Sequence, residues 1–405
     1  MVYLIALAAI FLGIYLYDYK KYDRGNFVFW ILLCVYFICI AGLRYRLGGD
    51  TAVYMHDFEA IHPISSISWK EITASRYAPG FNILVSTFKE IYPNYFLFQF
   101  VDALILNTVV FYFFYKNCSH KYLAILVYFV YVYFSLSLDL MREAIAVAIF
   151  LLAWPAFKNG KWIWWYVATC CAMLFHVSAT IMIFLPLICL PGINQLFVFG
   201  KRTIVICLII FFIGVIIQKN FYNYIQLLSI SEGINERAEV YGKSYLGNYQ
   251  LNINGFIANA ISYILYPLFF LILYSKKRNK EEPFKFDKFI AFVILSLYVI
   301  MIALKVSILI RFNNYFFFFV IAYISNCAFT PFFIQNKRVR LDFITWIFVF
   351  VSMLTFYVYK TYYNPFHKEI EYNSYRRYYP YNSIIDGKRD EEREKTIRYL
   401  RKKMD

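Results

Sequence analysis

Charge is scarce in this sequence. Asp, Glu, Lys and Arg make up 16% of its 405 residues, where soluble domains carry about 25%. Metal-ligand spacing is missing too: no HExxH, no acidic DxD and no His/Cys cluster occurs, so a metal-dependent mechanism has no visible ligand set. No cofactor is expected. The eight cysteines form no CxxC pair and lie mostly inside apolar runs. Adjacent Cys170 and Cys171 suit neither a zinc site nor an ordinary disulfide, so inert apolar cysteines are expected. The Gly48-Gly49 pair lacks the spacing and the preceding strand of a dinucleotide-binding motif. No repeat of fixed period and no Gly/Ser linker divides the chain.

What is present is apolar. Hydrophobic residues are 61% of the chain, with 44 Phe and 39 Tyr. That excess cannot be hidden in a water-soluble core, because surface scales too steeply with size. An all-α polytopic integral membrane protein follows. Runs long enough to approach a span fall at 1–17, 27–43, 95–115, 121–138, 139–157, 203–217, 256–274, 288–304, 312–329 and 341–359. The stretch 162–190 reads as two short helices meeting at His176. About twelve transmembrane helices are expected, on the span length of about 20 residues. The segment 79–92 opens with Pro79-Gly80, carries Lys89 and Glu90, and is too short to cross. It reads as a re-entrant or interfacial helix. Met1 to Tyr17 has no basic n-region and no small-residue cleavage site, so a first membrane helix is expected there, not a signal peptide.

The net charge of +16 does not indicate nucleic acid, because the basic residues sit in short clusters between apolar runs, as at Lys20, Lys21 and Arg24. That is positive-inside patterning. With those clusters cytoplasmic, loops 44–94 and 218–255 fall on the outer face. A transmembrane domain of residues 1–360 and a charged tail of residues 361–405, also outside, are expected. Glu391/Lys395 and Glu394/Arg398 in the tail have helical i,i+4 spacing.

Ionisable residues near membrane depth are functional candidates. On this topology they gather at one boundary: Arg44 and Arg46, then Asp139, Arg142 and Glu143, then His176, then Arg311. Arginine binds phosphate oxygens through a planar fork, so such a set suits a pyrophosphate head group on a lipid tail. Each has a plainer reading. A lone arginine can snorkel, Arg142 can pair with Asp139, and a lone His176 is commonly a satisfied core residue. Gly48 and Gly49 let the loop turn back sharply, which places Asp50 either as a helix cap or as a group orienting an acceptor hydroxyl. Tyr54 and Tyr77, with Trp69, are outer-loop aromatics able to stack on sugar rings.

The string Arg44-Tyr-x-x-Gly48-x-Asp50-Thr-x-x-Tyr54 resembles the first signature of EpsG-type polysaccharide polymerases, relatives of the Wzy O-antigen polymerases. Asp139-Leu-Met-Arg142-Glu-Ala-Ile-Ala146, Phe175-His176-Val-Ser178-Ala179, Arg311-Phe-Asn-Asn-Tyr315 and Tyr378-Tyr-Pro-Tyr381 are similar to its later elements, in family order. Glu143 stands where the family often has Gln, and Ala78 where it often has Glu before the Pro-Gly turn. The resemblance implies a GT-C-like membrane fold and a metal-independent glycosyltransferase in the bacterial cytoplasmic membrane. Its substrates would be polyprenyl-pyrophosphate oligosaccharides, as donor and as acceptor, with a chain-length regulator and a flippase as candidate partners. Arg142 and Arg311 would clamp the pyrophosphate, with Arg44 in support and Arg46, Gly48, Gly49, Tyr54 and Tyr77 shaping the substrate site. His176 would hold the diphosphate or the acceptor, and Asp50 would orient the acceptor hydroxyl. An O-antigen ligase-like transferase and a lipid-linked oligosaccharide flippase are the alternatives. Single cysteines placed at positions 50, 311 and 385 are expected to react with an impermeant maleimide from outside intact cells. Labelling of 50 and 311 from opposite sides would end the idea of one outer arginine site.

Overall fold

The structure is a computed structural model, and it describes residues 1–75, 77–218, 253–278, 286–327, 337–363 and 374–402. Most of the expected outer loop 218–255 lies outside the described residues. Those described are helical, with no strand among them; one isolated bridge joins Arg44 and Ser383. Among the described residues, three helical stretches are long and apolar enough to cross a membrane: Val2–Tyr19, Tyr95–Asn117 and Lys121–Leu138. Five shorter apolar helices accompany them: Asn26–Gly42, Trp162–Met173, Val177–Cys189, Phe256–Ile272 and Lys288–Ala303. The twelve spans expected from sequence are not established by these helices. The helix Met141–Lys158, for instance, begins with Arg142 and Glu143 and ends on a lysine.

The chain divides into two compact units. The first holds Met1–Pro186 with Arg377–Asp390, the second Leu187–Arg376 with Glu391–Asp405.

In the first unit, α1 (Val2–Gly13) runs on as a π-helical turn through Tyr19. It leaves Leu4, Ile5, Phe11 and Leu12 exposed, as a helix bordering hydrocarbon requires. Next come α2 (Asn26–Gly42), three short helices α3 (Thr51–Ala60), α4 (Trp69–Ala74) and α5 (Pro79–Ile91), and the long α6 (Tyr95–Asn117). The stretch 121–138 is α7 (Lys121–Tyr128), a π-helical turn and α8 (Phe134–Leu138). Then α9 (Met141–Lys158) and α10 (Trp162–Met173) follow. Helix α2 packs on α6, and α9 packs on both α6 and α10.

Local chemistry explains the short helices. α4 starts with a complete capping box, Ser68 accepting from the Glu71 N–H and Glu71 accepting from the Ser68 N–H. Pro79 occupies the first turn of α5, where its missing N–H costs nothing. With 13 residues, α5 falls short of the ~20 that a span needs. Its buried side, Phe81 and Val85, joins Tyr54, Phe58, Tyr77, Tyr95, Phe98, Met141 and Ile145 in one cluster. That cluster fastens the loop helices to α6 and α9. α10 ends at Met173, and His176 is extended (φ −151°, ψ 133°) before a 3-10 turn restarts the chain at Val177.

The second unit contains Lys201–Gln218, Lys288–Ala303, Ile310–Cys327 and Lys337–Val358. Ile310–Cys327 is buried over most of its length, at Asn313 and from Tyr315 to Ser325, and packs on Lys288–Ala303. A Ser296–Asn313 hydrogen bond of 2.5 Å links the two. In the tail helix Glu391–Lys402, Arg376 pairs with Glu392, and Arg393 donates to the Arg376 carbonyl at 3.2 Å.

Asp18 is a carboxylate inside an apolar span, buried at 2% exposure. Its Oδ2 accepts from the Leu123 N–H at 2.8 Å, satisfying one of the orphan donors at the start of α7. Asp18→Leu should cost about 1–3 kcal/mol, the desolvation penalty of a stranded buried donor. Asp18→Asn, which keeps an acceptor oxygen, should recover most of it. Thermal unfolding of the purified variants checks both, and equal stability of Asp18→Leu and the parent would refute the capping role.

Candidate functional site

The arginine that the sequence singles out most strongly stands on a shelf of tyrosines. Arg142 lies in the first turn of α9. Its Cζ is 4.4 Å from the Tyr77 ring centroid and 5.9 Å from that of Tyr54, and its Nε donates to the Tyr54 hydroxyl at 3.3 Å. The two rings stack at 5.9 Å. Among the described residues no carboxylate lies within ion-pair distance of Arg142, and its side chain is half-buried. The alternative reading, an Arg142–Asp139 pair, does not form. Burial pushes the Tyr54 phenol above its ordinary value, while the Arg142 charge pulls back. Tyr54 therefore stays neutral, and Tyr77 donates to Asp57.

Glu143 does not neutralise its neighbour. Successive helical residues diverge by about 100°, and Glu143, 1% exposed, turns inward, its Oε2 4.0 Å from His176 Nε2. Ser178 N–H donates to His176 Nδ1 at 3.2 Å, which leaves the ring proton on Nε2 facing Glu143. The His176 turn is fixed to α5 by Gly80, whose N–H donates to the Leu174 carbonyl at 2.8 Å. A Cβ at Gly80 would meet that same backbone at 2.7 Å.

The glycine-rich loop is held by Asp139. Its Oδ1 accepts from the Asp50 N–H at 3.3 Å, and its Oδ2 accepts from the Tyr378 hydroxyl at 2.6 Å. Gly48 has φ +96°, and a Cβ there would overlap Asp139 Oδ1. Asp50 occupies the N-cap position of α3 but its side chain makes no cap hydrogen bond. Its side chain is exposed. Arg46 sits in the same turn with φ +50°, and Gly49 lies against the Asp139 carboxylate.

Tail residues clasp this loop. Gly48 N–H donates to the Arg377 carbonyl (3.0 Å), Tyr45 N–H to that of Asn382 (2.8 Å), and Ile384 N–H to that of Leu43 (2.9 Å). Tyr381 hydroxyl donates to the Ile40 carbonyl at 3.0 Å. The tail stretch 377–384 therefore lies on the same side as the loop.

Arg44 is not at the surface. It is fully buried and donates to the Ala41 carbonyl, so its support of the site runs through the loop and not through a ligand. Two residues of α6 that sequence reasoning passed over surround it. Gln99 donates to the Gly42 and Arg44 carbonyls (2.8 and 2.9 Å), and Asp102, on the same helix, is buried as well. The signal was there: Gln99 and Asp102 interrupt an apolar run, and ionisable groups at that depth are functional candidates. Arg311 lies in the second unit, at the second residue of Ile310–Cys327, partly exposed.

The geometry thus defines a helical membrane protein with a tyrosine-backed arginine beside a clasped glycine loop. The EpsG family model matches residues 27–383, and the chain belongs to that family, the EpsG-type polysaccharide polymerases. Membership implies a polymerase-type enzyme of the glycosyltransferase kind. No curated protein and no solved structure matches the chain.

Gly48→Ala should collapse the loop, since both the positive φ and the overlap with Asp139 oppose it. Tyr378→Phe should weaken it more mildly, by about 1 kcal/mol for one hydrogen bond. Limited proteolysis within 44–50 reads out both. Cleavage of Gly48→Ala no faster than that of the parent would refute the assignment.

Proposed function

We propose that this protein polymerises polyprenyl-pyrophosphate-linked oligosaccharide repeats into a cell-surface polysaccharide at the outer face of the cytoplasmic membrane. The observation that carries this reading is Arg142: a half-exposed guanidinium held on two neutral rings, with no carboxylate partner among the described residues. Such a fork is ready to take a diphosphate bidentately.

In the reaction, the acceptor hydroxyl oxygen bonds to the anomeric carbon of the donor. The bond from that carbon to polyprenyl pyrophosphate breaks, and the acceptor proton leaves to the exposed Asp50 carboxylate or to water. Charge grows on the departing diphosphate, and a fixed cation stabilises it at no reorganisation cost. His176, its ring set by Ser178 and Glu143, orients groups beside Arg142. Arg311 is a second phosphate-binding candidate, carried by its family motif.

Arg142→Ala is expected to reduce polymerisation by about 10²–10³-fold, the usual effect of deleting a charge-stabilising donor. Arg142→Lys should restore only part of it, because lysine lacks the fork. Arg311→Ala should shorten the polymer as well. Glycan ladders from cells with matched protein levels provide the measurement. Unchanged ladder length in both alanine variants would sink the reading.

A further inference from the structure

The second unit carries two lysines that the steps above do not use, in the same part of the fold as Arg311. Lys288–Ala303 and Ile310–Cys327 pack together and are joined by the short turn 304–309. Lys305 lies in that turn, and Arg311 lies in the first turn of the returning helix. Lys305 Nζ is 5.3 Å from the Phe211 ring centroid and 5.1 Å from that of Phe256. Those rings come from two further helices, Lys201–Gln218 and Ile253–Ala260. Gly214, on the Phe211 helix, leaves room for the lysine: a Cβ there would meet Lys305 Cβ at 3.2 Å.

The other lysine is Lys360, in the π-helical turn Tyr359–Tyr363 that follows Lys337–Val358. Its Nζ is 4.5 Å from the Tyr263 ring centroid and 5.7 Å from that of Tyr357. Tyr263 follows Phe256 by seven residues, in the π-helical turn Ile261–Leu265 that continues Ile253–Ala260. The two rings therefore share a helix face about two turns apart. Tyr263 hydroxyl donates to the Tyr357 hydroxyl at 3.4 Å. Its ring meets Phe317 edge-on at 6.2 Å, which sets this face against the helix that begins with Arg311.

A lysine that only snorkels extends its head into water. Lys305 and Lys360 rest instead on rings from other helices, which attract a cation without neutralising it. Among the described residues no carboxylate lies within ion-pair distance of either lysine. Arg311 sits where a helix N-terminus already carries partial positive charge. The helix does not stabilise that arginine, and the two fields add in favour of an anion. Lysine meets phosphate as a point charge and arginine meets it as a fork, so a phosphate-bearing group is the ligand class.

The polymerase reading supplies such a group, and the inference rests on that reading. Two lipid-linked diphosphates meet in the reaction, and only the donor's departs. The acceptor's stays on its lipid, and no residue has been assigned to it. We propose that Lys305 and Lys360, beside Arg311, hold this retained diphosphate in the second unit.

Native mass spectrometry of the full-length protein in detergent, titrated with farnesyl diphosphate, tests the proposal. The parent should bind two molecules, and Arg142→Ala one. Lys305→Met combined with Lys360→Met keeps both apolar stems and removes both charges. Its second molecule should bind about tenfold more weakly, the effect of one lost hydrogen bond to a charged group. Lys305→Arg with Lys360→Arg should restore that binding. The single Met variants carry the test if the pair fails to fold, each weakening the same step. Inorganic pyrophosphate should compete for the second molecule's place, because the diphosphate and not the tail is held. One molecule on the parent, parent-like binding in the Met variants, or no competition by pyrophosphate overturns the proposal. So does displacement by phosphatidylglycerol at equal concentration, which would mark an ordinary lipid head-group site. Each of these leaves the polymerase reading standing, whereas normal glycan ladders in the arginine variants overturn that reading whatever the binding shows.

Discussion

The Asp139 carboxylate is the point on which the first unit's site depends. One oxygen takes the Asp50 N–H and the other the Tyr378 hydroxyl. Gly48 must lack a side chain because that carboxylate occupies the space. Asp139 also sits three residues before Arg142, at the junction of α8 and α9. Three pieces distant in sequence, the loop after α2, the start of α9 and the tail stretch 377–384, are thereby set against one another. Backbone bonds from Tyr45, Gly48 and Ile384 close the same seam. A carboxylate accepting from such donors is stronger than a neutral acceptor, which suits a seam that must survive without a strand ladder.

Much of this was legible in the sequence, and the illegible part has a physical cause. Apolar runs mark helices because backbone groups in hydrocarbon must bond within their own segment. The break at His176 was visible because two runs, each too short to span, flank it. The Gly48-Gly49 turn was visible because glycine marks positions that other residues cannot adopt. Burial was not legible. Arg44 looked like a surface cation at a helix end, yet Gln99 and Asp102, half a hundred residues away and more, make an interior that accepts it. Side-chain direction was the other hidden variable. Glu143 beside Arg142 in sequence suggested neutralisation, but the helix turns it inward to His176.

The Arg44–Asp102 arrangement bears on why the loop keeps its shape. Buried charges are costly unless compensated. Arg44 donates to the Ala41 carbonyl, while its Nε and Nη2, like Asp102 Oδ1 and Gln99 Oε1, make no hydrogen bond among the described residues. Gln99, buried beside it, fixes the Gly42 and Arg44 carbonyls. Such a network specifies where α2 ends and where the glycine turn begins.

Placing Arg142 on tyrosines instead of a carboxylate has a consequence for chemistry. A carboxylate within 4 Å would order the guanidinium but compete with a diphosphate for its fork. An aromatic face attracts the cation by about 0.5–1 kcal/mol at exposed sites and leaves the fork's in-plane donors available. Tyr54 helps only while neutral, and burial keeps its phenol above the ordinary range. Tyr77 is itself fixed through Asp57, so the carboxylate that steadies the shelf acts one residue removed from the arginine. The cation is oriented without being neutralised, and that combination is what a developing anion requires of a preorganised donor.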